Sequence, residues 1–279
     1  MTNRTQTAVN YKNNEKLAGT NNLSFTIIQS SIIWESVEEN LIEFEKKILQ
    51  SPANSEIIIL PEMFSTGFSM RTKELAEDYN GKTVNWLKKM ASENKKTIVG
   101  SIINKENGQF TNRLLWVNPE GNIKYYDKRH LFRMGNEHNF YAQGEKQLIV
   151  DHGKWRIMPL ICYDLRFPVW SRNRNNYDLL IYIANWPEPR REVWKTLLKA
   201  RAIENQAWVI GVNRIGSDGM NLNYSGDSMV VDFKGIEISN IPANEDYIYS
   251  SEISLSELRE FRKKFPAYLD ADNFDLHYD

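Results

Sequence analysis

Short apolar runs alternate with amphipathic stretches along most of this chain. Residues 24–30 and 56–61 are apolar runs of strand length that stop at polar or Pro punctuation, which suits buried strands. Between them, residues 34–49 carry Ile42, Phe44 and Ile48 among charges, which predicts an amphipathic helix. Residues 84–91 predict part of a second helix and 97–104 another strand. Residues 110–118 and 123–128, joined by Pro119-Glu120-Gly121-Asn122, read as a hairpin. Strands are expected at 146–150 and 155–162 around Asp151-His152-Gly153, and at 177–184. A helix over 190–206 precedes strands at 207–214, 228–233 and 247–253. A last helix spans 255–264, with Ser254 as N-cap and Glu257 completing a capping box. Residues 1–22 form a polar extension without period, and the tail 266–279, with Phe274 and His277, is expected to dock. Helices alternating with strands, plus hairpins, predict an α/β fold with mixed sheets. No repeat or linker divides residues 23–279, so one domain is expected there.

Composition narrows the class of partner. The chain has 279 residues, enough for one large core. It carries 35 basic and 36 acidic residues for a net charge of −1. That balance favours neither nucleic acid nor an anionic membrane surface. No apolar run approaches the length of a membrane span, and the N-terminus lacks a signal peptide's apolar segment. A single cysteine excludes an intramolecular disulfide and suits a reducing cytoplasm.

That cysteine, Cys162, ends an apolar run at Ile161-Cys162-Tyr163-Asp164. Strand ends are where open α/β folds keep their chemistry, so the thiol is a candidate nucleophile; a buried core cysteine is the alternative. Two further strand ends carry charge. Glu62 follows the run Ile57 to Leu60, and Lys128 follows Tyr125-Tyr126-Asp127. Thiol, carboxylate and ammonium form a chemical set. A thiolate attacks a carbonyl, a carboxylate moves its proton, and an ammonium stabilises the oxyanion. His130 fits the base role less well than Glu62. His138, His152 and His277 lack metal-ligand spacing, and no phosphate-loop glycine pattern occurs, so neither metal nor nucleotide cofactor is expected.

The motifs Leu60-Pro61-Glu62, Asp127-Lys128-Arg129-His130-Leu131-Phe132 and Ile161-Cys162-Tyr163-Asp164-Leu165-Arg166-Phe167-Pro168 resemble the nitrilase superfamily of carbon–nitrogen hydrolases, in order and spacing. The resemblance covers nearly the whole chain from Ser24. It implies a four-layer α-β-β-α sandwich and a cofactor-free hydrolase. It gives Glu62 the role of general base, Lys128 that of oxyanion stabiliser and Cys162 that of nucleophile. It makes Glu137 a supporting glutamate and the Tyr163 backbone N–H a second oxyanion donor; an exposed loop acid is the alternative for Glu137. Segments such as Ala184-Asn185-Trp186-Pro187 and Gly211-Val212-Asn213-Arg214 resemble the bacterial omega-amidase branch. That branch removes the terminal amide of 2-oxoglutaramate and 2-oxosuccinamate. Other amidases, nitriles or carbamoyl amino acids as substrates, and a non-catalytic scaffold, are the alternatives.

Further expectations concern the substrate and the assembly. Arg133 and Arg166 are candidates to bind the substrate carboxylate, and Phe64, Tyr141 and Trp186 candidates to wall the slot. An ion pair is the alternative for Arg166, and plain surface exposure for Arg133. The resemblance implies a homodimer or higher homo-oligomer, with Phe167, Trp170, Trp194 and Leu198 as possible interface anchors or core residues. Arg201, Glu204 and Asn205 are expected to make structural hydrogen bonds.

Overall fold

The structure, a computed structural model, describes residues 21–276. His277 and nearly all of the polar extension lie outside the described residues. The chain runs β1 (Asn22–Gln29), α1 (Val37–Leu49), β2 (Ile57–Ile59), α2 (Thr72–Leu75), α3 (Lys82–Asn94), β3 (Thr97–Glu106), β4 (Gln109–Val117) and β5 (Ile123–Asp127). It continues through β6 (Val150–His152), β7 (Trp155–Ile161), β8 (Leu179–Ala184), α4 (Arg191–Asn205), β9 (Trp208–Asn213), β10 (Ile215–Ser217) and β11 (Asn223–Ser225). It ends with β12 (Met229–Val231), β13 (Tyr247–Ser254) and α5 (Leu255–Lys264).

Two mixed sheets result. One has the order β13-β1-β2-β3-β4-β5, the other β12-β9-β8-β7-β6, and β10 and β11 form a ribbon. In the first sheet β1, β2 and β3 are parallel; in the second, β7, β8 and β9 are. Strand alternation builds the layers. Phe25, Ile27, Ile57, Ile59, Leu114 and Trp116 share a core with the second sheet, whereas Ile28, Ile58, Leu115 and Val117 pack with Phe44 of α1 and Leu87 of α3. On the far side Trp194, Leu198 and Ala202 of α4 pack on the second sheet. Both faces of the central strands are therefore buried, which is why they read as continuous apolar runs rather than alternating ones. The result is an α-β-β-α sandwich, as expected.

Several boundaries differ from the pattern. Helix α1 starts at Val37 rather than Trp34, because Glu35 turns the chain at a φ of 55°. Strand β6 is only the end of the expected 146–150 run; before it, the Gln147 side chain donates to the Trp170 carbonyl at 2.5 Å. Ser254 does cap α5, its Oγ accepting the Glu257 N–H at 3.3 Å. The tail docks through Phe274, whose ring lies 4.3 Å from the Arg174 guanidinium carbon. Trp170, Trp194 and Leu198, considered as interface anchors, are buried within this chain. Arg201 donates to the Leu165 carbonyl at 2.6 Å and pairs with Glu204 at 2.9 Å, while Asn205 accepts the Asn173 N–H at 2.8 Å.

Candidate active site

Four strands deliver their carboxyl ends to one place. Glu62 follows β2, Lys128 follows β5, Cys162 follows β7 and Asn185 follows β8. Two of these ends, those carrying Glu62 and Cys162, arrive at a sharp change of direction. Cys162 itself has a φ of 46°, as the first residue of a 3-10 turn over Cys162–Arg166. Met63, after Glu62, and Asn136, before Glu137, also have positive φ. A non-glycine residue held in this region costs about 1–3 kcal/mol, and such strain gathers at functional turns. Tyr163 is the second residue of the Cys162 turn, where backbone N–H groups have no intrahelical acceptor.

Lys128 is buried between two carboxyl groups. Its Nζ donates to Glu62 Oε1 at 2.9 Å and to both oxygens of Glu137 at 3.0 Å. Asn112, on β4, donates its Nδ2 to Glu62 at 2.8 Å and reaches Glu137 at 3.4 Å. The Asn185 N–H donates to Glu62 Oε2 at 2.7 Å, and its side chain to the Glu62 carbonyl at 2.6 Å. The Phe132 N–H donates to Glu137 at 2.6 Å. Glu137, which had an exposed loop position as its alternative, is therefore fully buried. Burial opposes the Lys128 charge, but Glu137 and then Glu62 outweigh it and hold the ammonium well above the usual lysine range. Burial raises Glu137, and Lys128 counters only part of that rise.

Cys162 lies beside this group. Burial first, then the Glu62 carboxylate, push its thiol well above the ordinary range, and the sulfur lies 3.9 Å from the Asn185 carbonyl oxygen. The resting sulfur is thus a thiol facing a carboxylate that can take its proton.

A second carboxylate fixes the Cys162 turn. Asp164 accepts the Tyr126 hydroxyl at 2.8 Å, the Ile161 N–H at 3.1 Å, and the N–H and Nδ1 of His130 at 3.0 and 2.8 Å. His130 is further held by its ring stacking on Phe167 at 3.8 Å. This ties the segment carrying Lys128 to the segment carrying Cys162. The sequence held a signal for it, Asp164 two residues beyond Cys162, but not its partners.

The group opens into a cavity of about 620 Å³. Lys128, Cys162, Tyr163, Arg166 and Trp186 line it, as do Phe68 and Arg190, which sequence reasoning passed over. Three expected lining residues are elsewhere. Phe64 packs edge-on against Phe44 of α1, 5.4 Å between centroids, because alternation after β2 turns it to the helix layer. Tyr141 is buried behind the cavity, its hydroxyl donating to the Ser69 carbonyl. Arg133 is exposed outside the cavity on a 3-10 turn. Arg166 has no ion pair among the described residues; its guanidinium carbon lies 5.4 Å from the Trp186 ring centre.

Residues 25–263 match the model of the carbon-nitrogen hydrolase family. The chain belongs to that family. Its members hydrolyse carbon–nitrogen bonds other than peptide bonds, so this is a hydrolase. An omega-amidase, YafV, of Escherichia coli K12 is 46% identical over 256 residues, covering 91% of this chain and 98% of that one. A 2-oxoglutaramate amidase of Bacillus subtilis is 32% identical, covering 88% and 96%. The hydrolase fold matches the crystal structure of XC1258 from Xanthomonas campestris, a superfamily protein with an arsenic adduct in its active site. That match has 43% identity and a TM-score of 0.90 over 92% of this chain and 99% of that one.

Among the described residues no group of three or more His, Cys, Asp or Glu side chains forms a metal site, and no helix is long and apolar enough to cross a membrane.

Proposed function

We propose that this hydrolase is an omega-amidase, acting on the terminal amide of short 2-oxo dicarboxylate monoamides such as 2-oxoglutaramate and 2-oxosuccinamate. The 46% identity to an omega-amidase over nearly both chains carries the substrate class. The geometry supports the mechanism. Glu62 takes the Cys162 proton as sulfur attacks the amide carbon. Lys128 and the Tyr163 N–H stabilise the oxyanion. Glu62 then protonates the departing ammonia, leaving a thioester. Water, deprotonated by Glu62, cleaves it, and the thiol recovers its proton. Glu137 positions Lys128.

Charge separation orients the substrate. One ammonium faces two carboxyl groups at the buried end, whereas Arg166 lies in the cavity without a carboxylate partner. A neutral amide suits the first environment and a carboxylate the second. Trp186 walls the slot beside Arg166. The product's new carboxylate forms next to Glu62 and Glu137, where like charge favours release.

Residues 23–279 would form the single catalytic domain. A lone thiol nucleophile suits a cytoplasmic setting. Exposed Val169 and Ile203, after the Cys162 turn and on α4, are compatible with a homodimer through that face, checked by sedimentation. The deciding assay measures ammonia release from 2-oxo acid amides, nitriles and carbamoyl amino acids. Preference for either of the last two would overturn the reading.

A further inference from the structure

Six charged side chains line the cavity: Glu35, Arg71, Lys128, Arg166, Arg190 and Asp218. Four have their charge answered nearby. Arg71 pairs with Glu35 at 2.7 Å, and Lys128 with Glu62 and Glu137. Asp218 accepts the Tyr224 hydroxyl and the Met220 N–H at 2.8 Å and the Leu222 N–H at 3.0 Å. Arg166 and Arg190 alone have neither an ion pair nor a hydrogen bond from the guanidinium among the described residues.

Both are positioned by aromatic faces instead. The Arg166 guanidinium carbon lies 5.4 Å from the Trp186 ring centre and that of Arg190 lies 5.3 Å from the Phe132 ring centre. Stacking of this kind orients the planar fork while leaving its N–H donors open. The backbone beneath Arg190 is fixed as well. Its carbonyl accepts the Trp186 indole N–H at 2.9 Å, and its N–H donates to the Pro187 carbonyl at 3.0 Å. Trp186 is in turn held by Asn213 Oδ1 at 2.8 Å and packs on Trp194. Two oriented, unpaired forks thus share one tryptophan at the edge of the same cavity.

Two forks are more than one carboxylate requires. A guanidinium matches the two oxygens of a carboxylate. A 2-oxo acid presents a third oxygen in the same region, on the adjacent carbon, and that oxygen needs its own donor. We infer that Arg190 is a specificity-determining residue that donates to the 2-oxo oxygen while Arg166 takes the carboxylate. The inference rests on the omega-amidase reading and says which part of the substrate each arginine distinguishes. A site built to hydrogen-bond a ligand oxygen discriminates strongly against the analogue lacking it.

The test compares 2-oxosuccinamate with succinamate, which keeps the carboxylate and lacks the oxo group, and with butanamide, which lacks both. In Arg190→Met the ratio of kcat/KM for 2-oxosuccinamate over succinamate should fall about tenfold or more, the scale of one hydrogen bond to a charged donor. Arg190→Lys should restore part of that ratio. Arg166→Met should instead lower the ratio of succinamate over butanamide. Melting curves check that each variant is folded; Arg190 is only half-buried, and the lysine variant keeps the charge. Equal losses on both acids in Arg190→Met would overturn the inference and leave the omega-amidase reading standing. A wild-type enzyme with no preference for 2-oxosuccinamate over succinamate would likewise overturn the inference alone, whereas no ammonia release from 2-oxosuccinamate would overturn the omega-amidase reading.

Discussion

The Asp164 carboxylate receives the His130 Nδ1 at 2.8 Å and the His130 N–H at 3.0 Å. His130 lies two positions after Lys128 and Asp164 two positions after Cys162, so this pair ties the segment carrying the ammonium to the segment carrying the thiol. Asp164→Ala leaves the buried Tyr126 hydroxyl and the Ile161 N–H without their acceptor. The expected cost is about 2–4 kcal/mol of stability, from several unsatisfied groups. Thermal melting measures it, and a melting point equal to the wild type would show that the network is not structural.

That Glu62, Lys128 and Cys162 come together was legible because each lies at the end of an expected strand and their three motifs resemble one family in order and spacing. Asn112 was not legible. It lies inside the strand Gln109–Val117, where an asparagine reads as a weak strand former, and only pairing across the sheet brings it to Glu62. Phe64 was misplaced for a related reason. Its proximity to Glu62 in sequence said nothing about which face of the sheet it takes, and it faces the helices. Arg190 escaped notice because it sits where a helix begins, a position that reads as capping rather than as a cavity wall.

Cys162→Ala should abolish ammonia release, since no other described group lies where a thioester could form. Retention of more than a few per cent of turnover by purified variant would contradict the nucleophile assignment. The backbone supplies a second readout. At a φ of 46° glycine is favoured over alanine by roughly 1 kcal/mol. Cys162→Gly should therefore melt above Cys162→Ala although both are inactive, which calorimetry resolves.

Glu62→Gln and Lys128→Ala should each lower kcat by about two orders of magnitude or more, the range for a lost acid–base or oxyanion group. Glu137→Gln should cost less, because it acts through Lys128. Steady-state kinetics on 2-oxosuccinamate ranks the three. Parity between Glu137→Gln and Lys128→Ala would give Glu137 a direct part in the chemistry.

The thiol titration carries a sign. Burial and then the Glu62 carboxylate push the Cys162 thiol up, because both disfavour the thiolate. Replacing Glu62 by glutamine removes a negative neighbour, and the midpoint should move down toward the usual thiol range. Ultraviolet thiolate absorbance followed against pH in wild type and Glu62→Gln measures the shift, with Cys162→Ala as the blank. A midpoint that rises would mean that Glu62 does not face the sulfur as an anion.

Arg133 and Arg166 are both candidates from sequence, since both lie in the catalytic segments; their surroundings separate them. Both are exposed, but Arg166 borders the cavity beside Trp186 whereas Arg133 lies outside it. An arginine that binds the substrate carboxylate forms charged hydrogen bonds worth about 1.5–3 kcal/mol, or roughly 10–100-fold in binding. Arg166→Met should raise KM for 2-oxosuccinamate by an amount in that range and weaken a neutral amide of equal length far less. Arg133→Met changes a solvated cation, whose influence at a distance is screened by salt. Its KM should stay within about twofold of wild type at physiological ionic strength. Equal losses on charged and neutral amides in Arg166→Met would remove the carboxylate contact from the reading, and a large KM effect confined to Arg133→Met would mean that the loop carrying it folds over the cavity when substrate binds.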